Sequence, residues 1–165
     1  MKKNGFFDIP LHIGEITGAA KKMQTARSIL EALKEWFEVT ESREKYIAES
    51  AEQHMLAATL GGKPLGFLCL KETGRDTVEI AVMGVLPEYH RQGIGNFLML
   101  NARGLAVNLG YSFMQVKTVK MGVYEDYDAT NRFYLACGFK EFEVFPSLWD
   151  AANPCQVYVM ALRYT

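Results

Sequence analysis

His90-Arg91-Gln92-Gly93-Ile94-Gly95 is the stretch on which the reading of this chain turns. An apolar, strand-like run from Val78 to Leu86 precedes it, and a helix-like run opens near Asn96. A strand, a glycine-bearing turn and a helix start together form a backbone cradle. Glycine lets the chain turn tightly and lets a ligand come close to the main chain. The first N–H groups of a helix have no internal acceptor, and the helix dipole places partial positive charge there. A phosphate is the favoured guest. Two well-known phosphate loops do not fit. A dinucleotide fingerprint needs a third glycine at position 98, where Leu98 stands. Gly62-Lys63-Pro64 lacks the hydroxyl residue of a Walker loop.

The bulk numbers leave room for such a site. At 165 residues the chain is expected to form one domain, 1–165, with a substantial core. Apolar content of 49% and charge of 22% exclude a disordered chain. A net charge of −1 gives no bulk attraction to nucleic acid, and none is expected as a partner. No apolar run reaches bilayer length, so no membrane partner is expected either. Asp8, Pro10 and His12 interrupt what would be a secretory segment after Met1–Gly5, so the expected location is cytoplasmic. Cys69, Cys137 and Cys155 have neither metal-ligand nor redox-pair spacing and read as small buried hydrophobes.

Outward from the loop, hydrophobic periodicity gives the remaining elements. A first strand is expected over Ile9–Ile16. A helix follows over Ala19–Phe37, on Ala26, Ile29, Leu30, Leu33, Trp36 and Phe37. A second helix is expected over Ser42–Ala51 with Ser42 as its cap. Met55–Leu60 and Leu65–Leu70 flank the hairpin signal Gly61-Gly62. Thr73-Gly74-Arg75-Asp76 turns the chain into Val78–Val85. The helix after the loop closes at Gly110. A strand at Tyr111–Val119 and a helix at Ala129–Cys137, capped by Asp128, come next. Strands at Phe139–Phe145 and Val157–Leu162 complete the set, with a loop over Pro146–Pro154 between them. The expected class is α/β: one mixed, mostly antiparallel sheet of about six or seven strands with about four helices.

The loop resembles the acyl-CoA loop of the GNAT acetyltransferases, Arg/Gln-x-x-Gly-x-Gly/Ala. A second stretch, Thr130-Asn131-Arg132-Phe133-Tyr134-Leu135-Ala136-Cys137-Gly138-Phe139, resembles the other landmark of that family, a helix bearing Tyr followed by x-x-x-Gly-Phe. Val85-Leu86-Pro87-Glu88-Tyr89 upstream also matches the family pattern. The two motifs span roughly Val78 to Phe139, and the strand order fits almost the whole chain. The resemblance implies acetyl-CoA as cosubstrate, no metal, and a homodimer as a possible assembly. It places the pantetheine arm along the backbone of Met83, Gly84 and Val85. It places the pyrophosphate on the N–H groups of Arg91, Gln92, Gly93, Ile94, Gly95 and Asn96, with a charge-assisted contact from Arg91. Tyr134 falls near the thioester sulfur. Two departures stand out. His90 replaces the usual Arg or Gln, and Tyr127 stands where many members carry an Asn seven residues before the Tyr. Asn131 lies on a different helix face, so that role does not transfer to it.

Acetyl transfer from a thioester needs a neutral amine, and an ordinary alkyl amine, with a pKa of about 10.4, is mostly protonated at neutral pH. Glu79 is the candidate base. It stands four and six residues before Met83 and Val85, on their face of the strand. A salt-bridged strand carboxylate is the equal alternative, and a water chain would also serve. Tyr134 is the candidate donor to the leaving thiolate, against the alternative of a core aromatic beside Phe133. The N–H of Val85 is suited to polarise the thioester carbonyl. A covalent relay through Cys137 is disfavoured, because no base is evident beside it. His12 and His54 read as packing or hydrogen-bonding residues. Trp36-Phe37, Phe145 and Trp149 either cover the core or wall an acceptor. Glu125, Asp126 and Asp128 read as a solvated helix start.

The expected function is acetyl-CoA-dependent N-acetyl transfer to a small-molecule primary amine by direct attack. The alternatives are acetylation of a protein lysine or N-terminus, and a non-catalytic acyl-CoA sensor.

Overall fold

The computed structural model describes residues 10–162. Ile9, the first residue of the expected opening strand, lies outside them. The chain runs β1 (Leu11–Ile16), α1 (Ala19–Leu30), α2 (Thr40–Ser50), β2 (His54–Leu60), β3 (Lys63–Gly74), β4 (Thr77–Val85), a 3-10 turn (Pro87–Tyr89), α3 (Ile94–Asn108), β5 (Phe113–Val119), α4 (Glu125–Ala136), β6 (Lys140–Asp150) and β7 (Asn153–Ala161). Seven strands form one sheet in the order β1-β2-β3-β4-β5-β7-β6. β1–β2, β5–β7 and β6–β7 pair antiparallel, while β4 and β5 pair parallel. The fold is the expected α/β class with a mixed sheet and four α-helices.

Two compact units divide the described chain, one over residues 10–69 and 82–101, the other over 70–81 and 102–162. In the first, Gly84 sets how close the region after α1 comes to β4. A Cβ there would stand 2.7 Å from Leu33 Cδ1 and 3.1 Å from Ile29 Cγ2. Gly66 does the same for β3: a Cβ would meet the Gly84 carbonyl at 3.0 Å, Val85 Cγ2 at 3.1 Å and Leu98 Cδ1 at 3.3 Å. No side chain larger than hydrogen fits at either place without displacement. The core of this unit includes Ala26, Ile29, Leu30, Leu33, Ile47, Phe67 and Leu98, all buried.

The second unit packs Val78, Met114, Val116, Tyr158 and Phe139. Its helix α4 ends on a left-handed Gly138 (φ 102°). Gly138 N–H donates to Leu135 C=O and Phe139 N–H to Tyr134 C=O, each at 3.1 Å. This is the double closure of a Schellman end, and it explains the Tyr-x-x-x-Gly-Phe spacing. Gly110 (φ 90°) ends α3 in the same way, with Gly110 N–H on Val107 and Tyr111 N–H on Ala106.

Four expectations need correction. α1 stops at Leu30 rather than Phe37. The apolar spacing continues because Leu33, Trp36 and Phe37 sit on a run of turns, tied by Ala32→Ile29, Leu33→Leu30 and Trp36→Leu33 bonds of 3.0–3.1 Å. α2 begins at Thr40 after Val39, without a side-chain cap, so Ser42 lies inside it. α4 begins at Glu125, and Asp128 lies in its first turn rather than before it. There its carboxylate accepts the Gly122 N–H at 2.7 Å. The Pro146–Pro154 stretch is largely a hairpin: β6 runs on to Asp150 and β7 starts at Asn153, with a register shift between Phe145 and Asp150. β6 is the last strand of the sheet. At an edge Pro146 deprives no neighbour of a ladder bond.

Candidate active site

In the first unit, the glycine loop follows β4. Leu86 N–H donates to Leu65 C=O at 2.8 Å, holding the strand end to β3. The 3-10 turn follows, and then Arg91 and Gly93 both adopt the left-handed region, with φ of 63° and 83°. Arg91 is the only non-glycine residue among those described with positive φ. A left-handed L-residue costs about 1–2 kcal/mol, and such strain is kept where the surroundings use it. Left-handed residues stand on either side of Gln92, and left-handed turns of this kind are how backbone nests present successive N–H groups to an anion. The helical ladder opens with Phe97 N–H on Gly93 C=O at 3.0 Å. Among the described residues, the N–H groups of Gln92, Gly93, Ile94 and Gly95 find no backbone acceptor.

Side chains brace this cradle from outside. Gln92 Nε2 donates to Glu88 C=O at 3.2 Å. His90 Nε2 donates to Val85 C=O at 2.6 Å, and its ring meets the Trp36 ring edge-on, centroids 5.8 Å apart. Arg91 is exposed and forms no ion pair among the described residues. Asn96 is exposed in the first turn of α3. Met83 and Val85 are half-buried while Gly84 between them is buried, the alternation of a strand. The parallel ladder of β4 with β5 comprises Thr77↔Phe113, Val78↔Met114 and Glu79↔Gln115. Met83–Val85 lies beyond it.

In the second unit, Glu79 stands on β4. This carboxylate is buried, 5% exposed. Lys117 Nζ lies 3.0 Å from one oxygen and Lys71 Nζ 3.3 Å from the other. Gln115 Nε2 donates to Glu79 Oε1 at a long 3.4 Å and to Thr73 Oγ1 at 3.1 Å. Both oxygens are committed to ammonium groups, which is the arrangement of the salt-bridged strand carboxylate. The lysines escaped sequence reasoning because their meeting depends on the register of β3, β4 and β5. The only sequence signal was the alternation that puts Gln115 and Lys117 on one face of β5.

Tyr134 is buried in α4, 7% exposed, with its ring 5.8 Å from Phe139, 6.3 Å from Tyr158 and 5.6 Å from Phe133. One helical turn earlier, Asn131 is fully buried. Its Nδ2 donates to Val119 C=O at 2.8 Å and Tyr127 C=O at 2.7 Å, and its Oδ1 accepts the Tyr158 hydroxyl at 2.5 Å. Asn131 therefore ties α4 to the end of β5 and to β7. Burial pushes the Tyr158 phenol upward, with Glu141 adding to the shift.

The cysteines are quiet. Burial pushes the Cys69 thiol up to about 12 and raises those of Cys137 and Cys155. His54 pairs with Glu15 at 2.9 Å. Among the described residues, no group of three His, Cys, Asp or Glu is placed to hold a metal, and no helix is long and apolar enough to cross a membrane.

A strand, a nest of amides at a helix start and a Schellman-ended helix bearing Tyr134 define a class, and comparison with known sequences agrees. The profile of the acetyltransferase (GNAT) family matches residues 24–139, and the chain belongs to that family. Solved structures share the fold. A candidate GNAT acetyltransferase from Desulfovibrio desulfuricans superposes with a TM-score of 0.75 at 17% identity, over 93% of this chain and 100% of that one. An aminoglycoside 6'-N-acetyltransferase complexed with coenzyme A gives 0.72 at 17% identity, over 93% and 98%. The ribosomal-protein-S18-alanine N-acetyltransferase from Escherichia coli gives 0.71 at 15% identity, over 94% and 96%. No curated protein sequence matches the chain significantly.

Proposed function

We propose that this protein transfers an acetyl group from acetyl-CoA to a primary amine of a small molecule, with residues 1–165 acting as one cytoplasmic catalytic domain. The observation that carries the reading is the pair of left-handed residues, Arg91 and Gly93, ahead of amides without backbone acceptors. A nest of this kind at the start of a 15-residue helix suits a pyrophosphate. The coenzyme A bound to the aminoglycoside enzyme supports the same assignment.

In this scheme Arg91 to Asn96 hold the pyrophosphate, and the backbone of Met83, Gly84 and Val85 pairs with the pantetheine arm as an added strand would. The Val85 N–H polarises the thioester carbonyl. The amine nitrogen attacks the carbonyl carbon, the C–S bond breaks, and Tyr134 protonates the departing sulfur. Holding amine and thioester in line supplies much of the rate. Glu79 serves as the fixed negative charge between Lys71 and Lys117. A second reading, acetylation of a peptide N-terminus, draws its support from the likeness to the S18-alanine enzyme.

Calorimetry with acetyl-CoA, NAD and ATP tests the cradle: micromolar binding of acetyl-CoA alone is expected, and none at millimolar ligand overturns the reading. Tyr134→Phe then tests the donor. We expect kcat for thiol release to fall about tenfold or more with acetyl-CoA affinity retained. Full activity would remove Tyr134 from the mechanism.

A further inference from the structure

We infer that His90 is the general base that deprotonates the acceptor amine. The inference rests on the acetyl-transfer reading above and adds to it the destination of the amine proton. A carbonyl oxygen only accepts, so the 2.6 Å contact with Val85 C=O requires a proton on His90 Nε2. In the neutral ring the lone pair then resides on Nδ1. An orienting acceptor fixes the tautomer and stabilises the imidazolium that forms when Nδ1 takes a proton, which is how a carboxylate supports histidine in other enzymes. Here the Val85 carbonyl does this, and the edge-on Trp36 ring holds the imidazole plane.

Position and competition both favour this residue. The peptide that His90 grips is Val85, the strand end at which the thioester carbonyl is placed. His90 is exposed, so a proton accepted there passes on to water. Glu79, the other nearby-in-sequence candidate, has both oxygens occupied by Lys71 and Lys117. The substitution of histidine for the Arg or Gln usual at the head of this loop is then a chemical change. Gln or Arg also donates to a carbonyl, but neither takes a proton at neutral pH.

The step balances without a further reactant. The acceptor arrives as an ammonium and gives one proton to Nδ1. The free amine attacks, the C–N bond forms, and the C–S bond breaks. The nitrogen loses its second proton, and the thiolate gains one. The net products are amide, free thiol and one proton released through His90 to solvent.

His90→Gln and His90→Ala, assayed for thiol release with kanamycin and with an alanine-starting peptide as probe amines, decide the matter. Gln preserves a donor for Val85 C=O, so a merely bracing histidine predicts kcat near wild type. We expect kcat to fall about a hundredfold with KM for acetyl-CoA within threefold. In His90→Ala, imidazole added to the buffer should restore at least tenfold of the loss. A His90→Gln kcat within threefold of wild type, or no rescue by imidazole, overturns the assignment. Failure of the parent reading looks different. Wild type would then release no thiol with either amine, and the base would fall with the activity.

Discussion

The glycine loop and the Tyr134 helix look alike as sequence: both are short, both bear glycine, and both point to one cosubstrate. The fold builds them by opposite means. At the loop the main chain is the proposed binding surface. The amides of residues 92–95 have no backbone acceptor among the described residues, and the side chains of Gln92 and His90 reach back to the Glu88 and Val85 carbonyls to hold the turn. In α4 the side chains carry the arrangement. Asn131, buried to the last atom, fastens the helix that presents Tyr134 through three hydrogen bonds. As a binding surface, a backbone site is sensitive to conformation and tolerant of side-chain identity, so a side-chain role such as that proposed for His90 is separable from it. A side-chain site has the reverse sensitivities.

That contrast can be broken, beginning with its largest consequence. Asn131→Ala leaves Val119 C=O and the Tyr158 hydroxyl buried without their partner. At about 1–3 kcal/mol per orphaned group, a loss of about 3 kcal/mol in urea unfolding is expected. An unfolding midpoint equal to wild type would show that α4 does not depend on this side chain. Gly93→Ala forces an L-residue to φ near 83°. If the turn relaxes to escape about 1–2 kcal/mol of strain, acetyl-CoA binding by calorimetry should weaken about tenfold. Equal affinity would mean that the turn is not the ligand surface. Glu79→Gln leaves Lys71 and Lys117 facing a neutral amide. Both ammoniums are about a third or more exposed, so water recovers much of the lost interaction. A stability loss of about 1 kcal/mol is expected, read as a shift in the melting curve. Cys137→Ala should leave kcat within twofold, since the thiol is half-buried and its ionisation is opposed by burial. A larger drop would revive a covalent relay.

The sequence was most legible where a local rule had one solution. The two Schellman ends at Gly110 and Gly138, the Gly61-Gly62 hairpin and the strand-loop-helix around Gly93 could be placed from residue type alone. Element ends were less legible when two structures met the same pattern. Leu33, Trp36 and Phe37 keep helical spacing on a run of turns, because turns with i→i+3 bonds return the chain to one face nearly as a helix does. Pro146 suggests a loop to anyone who does not know that its strand is an edge. The glycine loop and the helix bearing Tyr134 were legible as elements. The partners of Glu79 and Asn131 were not, because they come from strands whose register no local pattern encodes: Lys71 on β3, Lys117 on β5, Tyr158 on β7.

The edge strand β6 also bears on how this protein behaves in a tube. It exposes Phe142, Leu148 and Trp149 along 11 residues, and such a border invites another chain to add itself. Pro146 and the shifted register beside it interrupt that border, so neither flank offers a long, regular row of donors and acceptors. Lys140, Glu141 and Glu143 charge the first flank. Pro146 thereby breaks the regularity of this border inside β6, and Pro146→Val is expected to raise self-association at high concentration, read by light scattering against wild type.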